Sequence, residues 1–310
     1  MHSSRVVFLS GGTGTPKLLQ GAVEVIDADD IAVIGNTGDD WDFYGLHVSP
    51  DIDSILFTLA NLIDTKKWWG IKDDTFKLIF FLKERLKEEI WFNLGDFDAG
   101  LCLLRTHLLR KGKSLTEAIE IIRKRLDIQS SVLPMADQTI QTKVRISNKT
   151  IHLQEFWVKY KGKLDVKNVF FEGDLRKTTN QVLDAIKQAS TIIIGPSNPV
   201  SSIGPILAIQ PLREALQNAS GYRVAISPII GTNPVSGPTS SFLRAWGYNI
   251  SPVVIAELFH DVLDVLMIHD TDKQYLNDIK KKDLTPLLED IYIHSKSDAV
   301  RLFKRIMDRK

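Results

Sequence analysis

A short apolar strand that runs directly into glycines and then into a helix leaves a chain few ways to fold. Val6-Val7-Phe8-Leu9 is apolar and rich in β-branched residues, and Ser10-Gly11-Gly12-Thr13-Gly14 interrupts it. Leu18, Leu19, Ala22, Val23 and Ile26 then recur at helical spacing, and Ile31-Ala32-Val33-Ile34 is a second strand-like run. Strand, glycine turn, helix and strand make a βαβ unit. Continuous apolar runs of this kind suit strands covered on both faces of a parallel sheet.

The same texture returns late in the chain. Thr191-Ile192-Ile193-Ile194, Tyr222-Arg223-Val224-Ala225-Ile226 and a run within 262–268 read as strands. Residues 182–189 and 206–216 read as helices, and 297–307 as an amphipathic C-terminal helix. Between the two βαβ regions the pattern is mostly helical. Ser49-Pro50 starts one helix, with serine as N-cap and proline in the first turn. Residues 73–89 and 98–109 carry further helical patterns, and Ser114-Leu115-Thr116-Glu117 is a capping box that opens another, to about residue 126. From 128 to 173 the pattern turns to strands: 142–146 and 150–153 flank a hairpin turn, and 156–160 and 169–171 follow. The expected architecture is α/β, a doubly wound, mainly parallel, Rossmann-like sheet with a helical and antiparallel β insertion. Residues 1–127 and 174–310 form its core, including the helical region, and 128–173 a small β-rich insertion.

Composition excludes several classes. The 310 residues carry 39 basic and 38 acidic side chains, a net charge of +1. No global positive field exists for a nucleic-acid backbone, so no nucleic-acid partner is expected. Cys102 is the one cysteine, which rules out an intrachain disulfide and a cysteine metal cluster. The apolar run before Ser10 is too short for a signal sequence, and no stretch approaches the roughly 20 apolar residues of a membrane helix. A cytoplasmic location without membrane contact is the expectation.

Chemistry is concentrated in the loops that follow strands, where open α/β sheets bind ligands. Gly11, Gly12, Thr13 and Gly14 lie between a strand and a helix start, where free backbone N–H groups and the helix dipole favour an anion. Lys17 stands where a dinucleotide fingerprint would have its third glycine, and the spacing is not that of a Walker loop. A tight turn without ligand would use the same residues. Gly35-Asn36-Thr37-Gly38-Asp39-Asp40 follows the second strand; its acids suit a metal or a hydroxyl, and its composition also suits a plain turn. Asp51 and Asp53 lie in a first helical turn, where acids offset the dipole. Their side chains point about 200° apart, so one of the two is expected to face the cleft. Asn93-Leu94-Gly95-Asp96 repeats the choice between cap and ligand. The loop 195–205, with Ser197, Asn198, Ser201, Ser202 and Gly204, is too long and polar for a minimal turn and suits phosphate or sugar oxygens. Residues 227–238 form another such loop after a strand.

Taken in order, GGTGTPKLLQG, GNTGDDWDFYGLHVSPDIDS, NLGDFDAG, IIIGPSNPVSSIGPIL and SPIIGTNPVSGP resemble the 2-phospho-L-lactate transferases of deazaflavin coenzyme (F-420) biosynthesis. The resemblance spans about residues 6–272. It implies a donor, lactyl-2-diphospho-5′-guanosine or its enolpyruvyl counterpart, and an acceptor, 7,8-didemethyl-8-hydroxy-5-deazariboflavin. The ribityl hydroxyl would attack the phosphorus bearing the lactyl group and GMP would leave, with magnesium (Mg2+) as cofactor; a homodimer is a further expectation from the family. On this reading Gly11, Gly12, Thr13, Gly14, Lys17, Asn36, Ser197, Asn198, Ser201, Ser202 and Gly204 bind substrate. Asp39, Asp40, Asp51 and Asp53 carry catalysis, Asp39 and Asp51 hold the metal, and Asp51 is favoured for the acceptor. Asn93 and Asp96 extend that pocket, and Trp41, Phe43 and Tyr44 would stack on the flat ring system. Two other classes compete. A nucleotide-sugar-binding regulator of the gluconeogenesis-factor type shares the GGTG start, but has a glycine- and serine-rich run where this chain has Trp41-Asp42-Phe43-Tyr44. A nicotinamide dehydrogenase would need the missing third glycine and an acid closing the second strand, where Gly35-Asn36 stands.

Overall fold

The structure is a computed structural model that describes residues 5–235 and 237–308. Ser236, in the 227–238 loop, and the N-terminal MHSS lie outside the described residues. In chain order the strands are β1 (Val6–Ser10), β2 (Ile31–Gly35), the hairpin β3 (Trp41–Phe43) and β4 (Leu46–Val48), and β5 (Ser131–Pro134). Then come β6 (Ile140–Ile146), β7 (Thr150–His152), β8 (Val166–Gly173), β9 (Thr191–Ile194) and β10 (Tyr222–Ile226). The short ribbon β11 (Ile229–Ile230) and β12 (Asn233–Pro234) precedes β13 (Val265–His269) and β14 (Thr285–Glu289).

Seven strands form one parallel sheet in the order β14-β13-β10-β9-β1-β2-β5. The α/β Rossmann-like architecture is therefore as the sequence indicates. From β1 the chain builds outward through β2 and β5, then returns to β9 and builds the other way. The order thus reverses between β1 and β9, whose registered pairs run from Val6–Thr191 to Leu9–Ile194. Every residue of β1 and β2 is buried, and alternate side chains feed two cores. Val7, Leu9, Ala32 and Ile34 face the helices Asn180–Gln188 and Gln210–Gln217. Val6, Phe8, Ile31 and Val33 face the helices Gly14–Ala22, Pro50–Leu59, Leu115–Arg125 and Lys296–Met307. The capping box at Ser114 forms, with Glu117 N–H donating to Ser114 Oγ and Ser114 N–H to Glu117 Oε2. No helix of the described residues is long and apolar enough to cross a membrane.

Several expectations need correction. Ser131–Pro134, inside the stretch expected as an insertion, is the edge strand beside β2. The separate three-stranded sheet, β7-β6-β8, begins only at Ile140. β14 was not anticipated at all. Both edge strands contain a proline, Pro134 and Pro286, a residue that hides a strand in sequence and is tolerated at a sheet edge. The helix expected over 73–89 is reduced to Lys77–Phe80 and a π-helical turn, Phe81–Arg85. It starts late because Asp96 accepts the Lys77 and Leu78 N–H groups and so caps it there. The helix expected over 206–216 breaks at Ile209, which is extended (φ −73°, ψ 108°). Pro211 two residues later has no N–H and its ring would strike the carbonyl four residues back. The strand expected at 156–160 is a π-helical turn, Glu155–Lys159, with Phe156 buried beneath it.

The helix Gly14–Ala22 lies so close to the C-terminal helix that a Cβ on Gly21 would stand 2.3 Å from the carbonyl carbon of Ala299. Gly21→Ala is expected to destabilise the protein by about 1–3 kcal/mol, since backbone must shift. Gly100, in the helix Asp96–Arg110, is exposed with nothing within 4 Å of such a Cβ. There Gly100→Ala should stabilise by about 0.5–1 kcal/mol through helix propensity alone. Urea unfolding of the two variants beside the parent protein checks the opposite signs; a Gly21→Ala variant as stable as its parent refutes the packing argument.

Candidate active site

A cavity of about 380 Å³ opens at the carboxyl ends of β1, β2, β9 and β10, over the point where the strand order reverses. Gly12, Thr13 and Gly14 line it from β1, Asp39 from β2, Ser197, Asn198, Ser201 and Ser202 from β9, and Gly237 and Pro238 from β10. The helix Pro50–Leu59 contributes Pro50, Asp51 and Ser54. Trp69, Phe92, Asn93, Leu153, Gln154, Trp157 and Val158 close the side remote from the sheet. A shallower groove lined by Arg145, Lys167, Trp246 and Tyr248 gathers none of the buried acids.

The first and third loops are locked together. A Cβ on Gly14 would lie 2.0 Å from the Pro196 carbonyl oxygen, and one on Gly195 2.0 Å from Thr15 Oγ1. Ser197 Oγ accepts the Thr15 N–H, shares a hydrogen bond of 2.8 Å with Thr15 Oγ1 and donates to the Gly11 carbonyl. Gly12, at φ 57°, takes a conformation that side chains disfavour. In the loop after β9, Asn198 Oδ1 accepts the N–H groups of Val200 and Ser201. That fixes the amide, and leaves Asn198 Nδ2 buried on the cavity wall without a hydrogen-bond partner among the described residues. It is a donor in want of an acceptor.

Two acids share the cavity. Asp51 is buried and accepts from Asn36 Nδ2 at 2.8 Å; Asn36 also donates to the Ser201 carbonyl, so it ties the acid to the loop after β9. Burial pushes the Asp51 pKa up to about 6, partly offset by Asn36 and the Gly12 N–H, with Asp40 raising it further. Burial and then the charge of Asp51 push Asp39 well above the usual carboxylate range. Among the described residues Asp39 Oδ1 is buried without a hydrogen-bond partner. Two repelling carboxylates on one cavity, one with an orphaned oxygen, fit a hard dication with oxygen ligands.

The other two acids face elsewhere. Asp40 accepts the Ser49 hydroxyl at 2.6 Å and pairs with His47 Nε2 at 2.9 Å. Ser49 is therefore at the N-cap position but spends its hydroxyl on Asp40 rather than on the helix. Asp53 points away from Asp51 and forms a bidentate ion pair with Arg105, which is fully buried and also donates to the His47 carbonyl. Asp98 and Cys102 join this cluster. Burial and the Asp53 charge push Asp98 up to about 7. Asp53, Asp98 and Cys102 bring ligand atoms within 4.8 Å of one another, but the Arg105 guanidinium already supplies the cation there. Among the expected binding residues, Asn93 lines the cavity while Asp96 caps the helix at Lys77. Gly204 starts the helix Gly204–Ala208 under Phe171. Lys17 lies 5.3 Å from the Trp68 ring centroid instead of lining the cavity.

The expected stacking surface lies elsewhere. Trp41 packs on Trp91 and Phe92, Phe43 is buried in a satellite core, and Tyr44 donates to Glu88. The cavity's aromatic residues are Trp69, Phe92 and Trp157, with Trp69 and Trp157 43% and 45% exposed. Sequence reading passed over them, along with Ser54 and Gln154. The one available signal was Trp68-Trp69 in a polar loop, since an indole has no reason to stand exposed in a connection unless it packs or binds.

A family model described as 2-phospho-L-lactate transferase CofD matches residues 6–305. The 2-phospho-L-lactate transferase of Methanococcus maripaludis (strain S2) is 40% identical over 313 residues, covering 98% of each chain. That of Methanocaldococcus jannaschii is 38% identical over 308 residues, 98% of this chain and 97% of the other. Among solved structures, a UPF0052-family protein from Bacillus halodurans superposes with a TM-score of 0.69 over 99% of each chain at 17% identity, a likeness of fold.

The raised pKa of Asp51 has a consequence for stability. Between 3.8, its ordinary value, and about 6, the folded chain binds more protons than the unfolded one. Stability due to this group is therefore lost as pH rises through that window. Asp51→Asn should be more stable than its parent above pH 6, by roughly 1–3 kcal/mol, and the two should converge toward pH 4. Thermal melts from pH 4 to 8 check this; an Asp51→Asn variant less stable at pH 8 would mean that its hydrogen bonds outweigh its burial.

Proposed function

This chain belongs to the 2-phospho-L-lactate transferase CofD family, and we propose that its cavity moves phospholactate from a guanosine diphospho-linked donor to the ribityl hydroxyl of a 5-deazariboflavin. Membership makes the chain an enzyme of the 2-phospho-L-lactate transferase class. The identity of donor and acceptor and the release of GMP are our reading. Its main support is the pairing of Asp39 and Asp51, buried and mutually repelling, with the glycine and serine loops on one cavity.

Phosphoryl transfer needs an oriented nucleophile and charge stabilisation on non-bridging oxygens more than it needs covalent catalysis. The Gly12–Gly14 backbone and the start of the helix Gly14–Ala22 face the diphosphate, and Asn198 Nδ2 supplies a further donor. Asp51, held by Asn36 at 2.8 Å, orients the acceptor hydroxyl and takes its proton. The hydroxyl oxygen bonds to the phosphorus that carries the lactyl group, the bridging P–O bond breaks, and its electron pair leaves with GMP. Asp39 and Asp51 would hold a magnesium ion, which would supply neutralising charge for the phosphate oxygens. Trp69, Phe92 and Trp157 give the acceptor's flat ring an apolar, polarizable wall.

The test is to incubate the protein with the deazariboflavin, the guanosine-linked phospholactate and magnesium, and to follow GMP by chromatography. GMP is expected only when all three are present. Asp51→Ala should lower turnover by about 10²-fold or more, the usual loss of a general base, and omission of magnesium should abolish it. No turnover combined with tight binding of a nucleotide sugar would overturn the reading in favour of the regulatory class.

A further inference from the structure

Lys17 occupies the first helical turn after the glycine loop, where a lysine would ordinarily be assigned to phosphate. Its side chain goes elsewhere: Nζ stands over the Trp68 ring, 5.3 Å from the centroid. Trp68 belongs to a closed loop. The Asp64 N–H donates to the Gly70 carbonyl, the Trp68 N–H to the Asp64 carbonyl, and the Lys72 N–H to the Leu62 carbonyl. Asp64 Oδ1 accepts the Lys66 and Lys67 N–H groups. Ile63 and Ile71 form a bridge at the neck. The loop is thus pinned at its base, while Thr65, Lys66 and Lys67 at its tip are exposed. Trp68 itself is at φ 61°, in the left-handed region that a non-glycine residue holds only when its surroundings fix it. The next residue, Trp69, lines the cavity.

We propose that Lys17 is a positioning residue: its cation–π contact with Trp68 holds the 64–70 loop on the helix that follows the glycine loop, and so fixes Trp69 in the cavity wall. The inference rests on the proposed function for its kinetic consequence. Lys17 then acts on the aromatic acceptor and not on the donor's phosphates, although it is five residues from Gly12. It also links the two halves of the site, because the helix that meets the diphosphate carries the anchor for the aromatic wall.

The experiment compares the parent protein with Lys17→Met, which keeps an aliphatic stem without charge, and Lys17→Arg, which keeps a cation able to sit on the indole. Lys17→Met should raise the KM for the deazariboflavin by roughly 5- to 30-fold, the range of a partly desolvated cation–π contact. The donor KM should stay within about twofold, and Lys17→Arg should restore most of the acceptor KM. A rise in donor KM with unchanged acceptor KM would overturn the proposal and return Lys17 to the phosphates. Limited trypsin digestion gives a readout that does not need turnover. Cleavage after Lys66 and Lys67 should be several-fold faster in Lys17→Met than in the parent or in Lys17→Arg, at equal thermal stability. Equal cleavage in all three overturns the latch. If the parent protein turns over nothing but the digestion difference appears, the proposed function fails while the latch stands.

Discussion

The contact between the loop after β1 and the loop after β9 is what the rest of the site depends on. These strands are neighbours at the point where the sheet changes direction, so their connections leave toward opposite faces and open a crevice. The loops touch only because Gly14 and Gly195 have no side chain; a Cβ on either would lie 2.0 Å from an atom of the other loop. Ser197 then bonds across the gap to Thr15 and Gly11. With this seam closed, the backbone N–H groups of the first loop and the Asn198 amide end up on one wall. Asn36 extends the same seam to Asp51. The acid's position is thus a consequence of how the two loops meet, not of its own helix alone.

The four acids near the cavity illustrate two ways to bury charge. Asp53 is neutralised inside the protein by Arg105, in a pair whose components are both buried. Removal of one partner from such a pair typically costs several kcal/mol, while the intact pair contributes little net stability. It does fix the rotation of the helix Pro50–Leu59 against the helix Asp96–Arg110, and Asp51 is two residues away on the same helix. Asp39 and Asp51 have no such cation among the described residues. Burial raises the pKa of Asp53 too, so it is the missing cationic partner that sets Asp39 and Asp51 apart, the pattern expected where charge is held for a ligand.

The sheet was readable in the sequence wherever strands are buried on both faces. β1, β2 and β9 are nearly unbroken apolar runs, β10 is interrupted only by Arg223 near its start, and each was legible. β5 and β14 were not, because a central strand would not tolerate the prolines that these edges carry. The loops that wall the cavity were legible because glycine, serine and asparagine accumulate after strands, and most of the residues named from them do line it. What could not be read was direction. Asp40 and Asp51 are equally acidic in sequence, and only tertiary partners send one to Ser49 and His47 and the other to the cavity. Lys17 follows the same logic: its position in the chain suggested phosphate, and a tryptophan from a distant loop took its side chain.

The apolar half of the cavity comes from outside the sheet. Trp69 lies on the loop after the helix Pro50–Leu59, Phe92 precedes the helix Asp96–Arg110, and Leu153, Gln154, Trp157 and Val158 belong to the segment between β7 and β8. The antiparallel sheet is docked directly on the acid loop, since Thr142 of β6 donates its N–H to the Gly38 carbonyl. A sheet of this kind can therefore keep the loops at its carboxyl edge while the added segments change what lies beside them. The Bacillus halodurans UPF0052 protein shares the fold at 17% identity, too distant to share side chains by default. On the proposed function the sheet would account for the phosphate half of the chemistry, and the choice of acceptor would reside in Trp69, Trp157 and the elements that hold them.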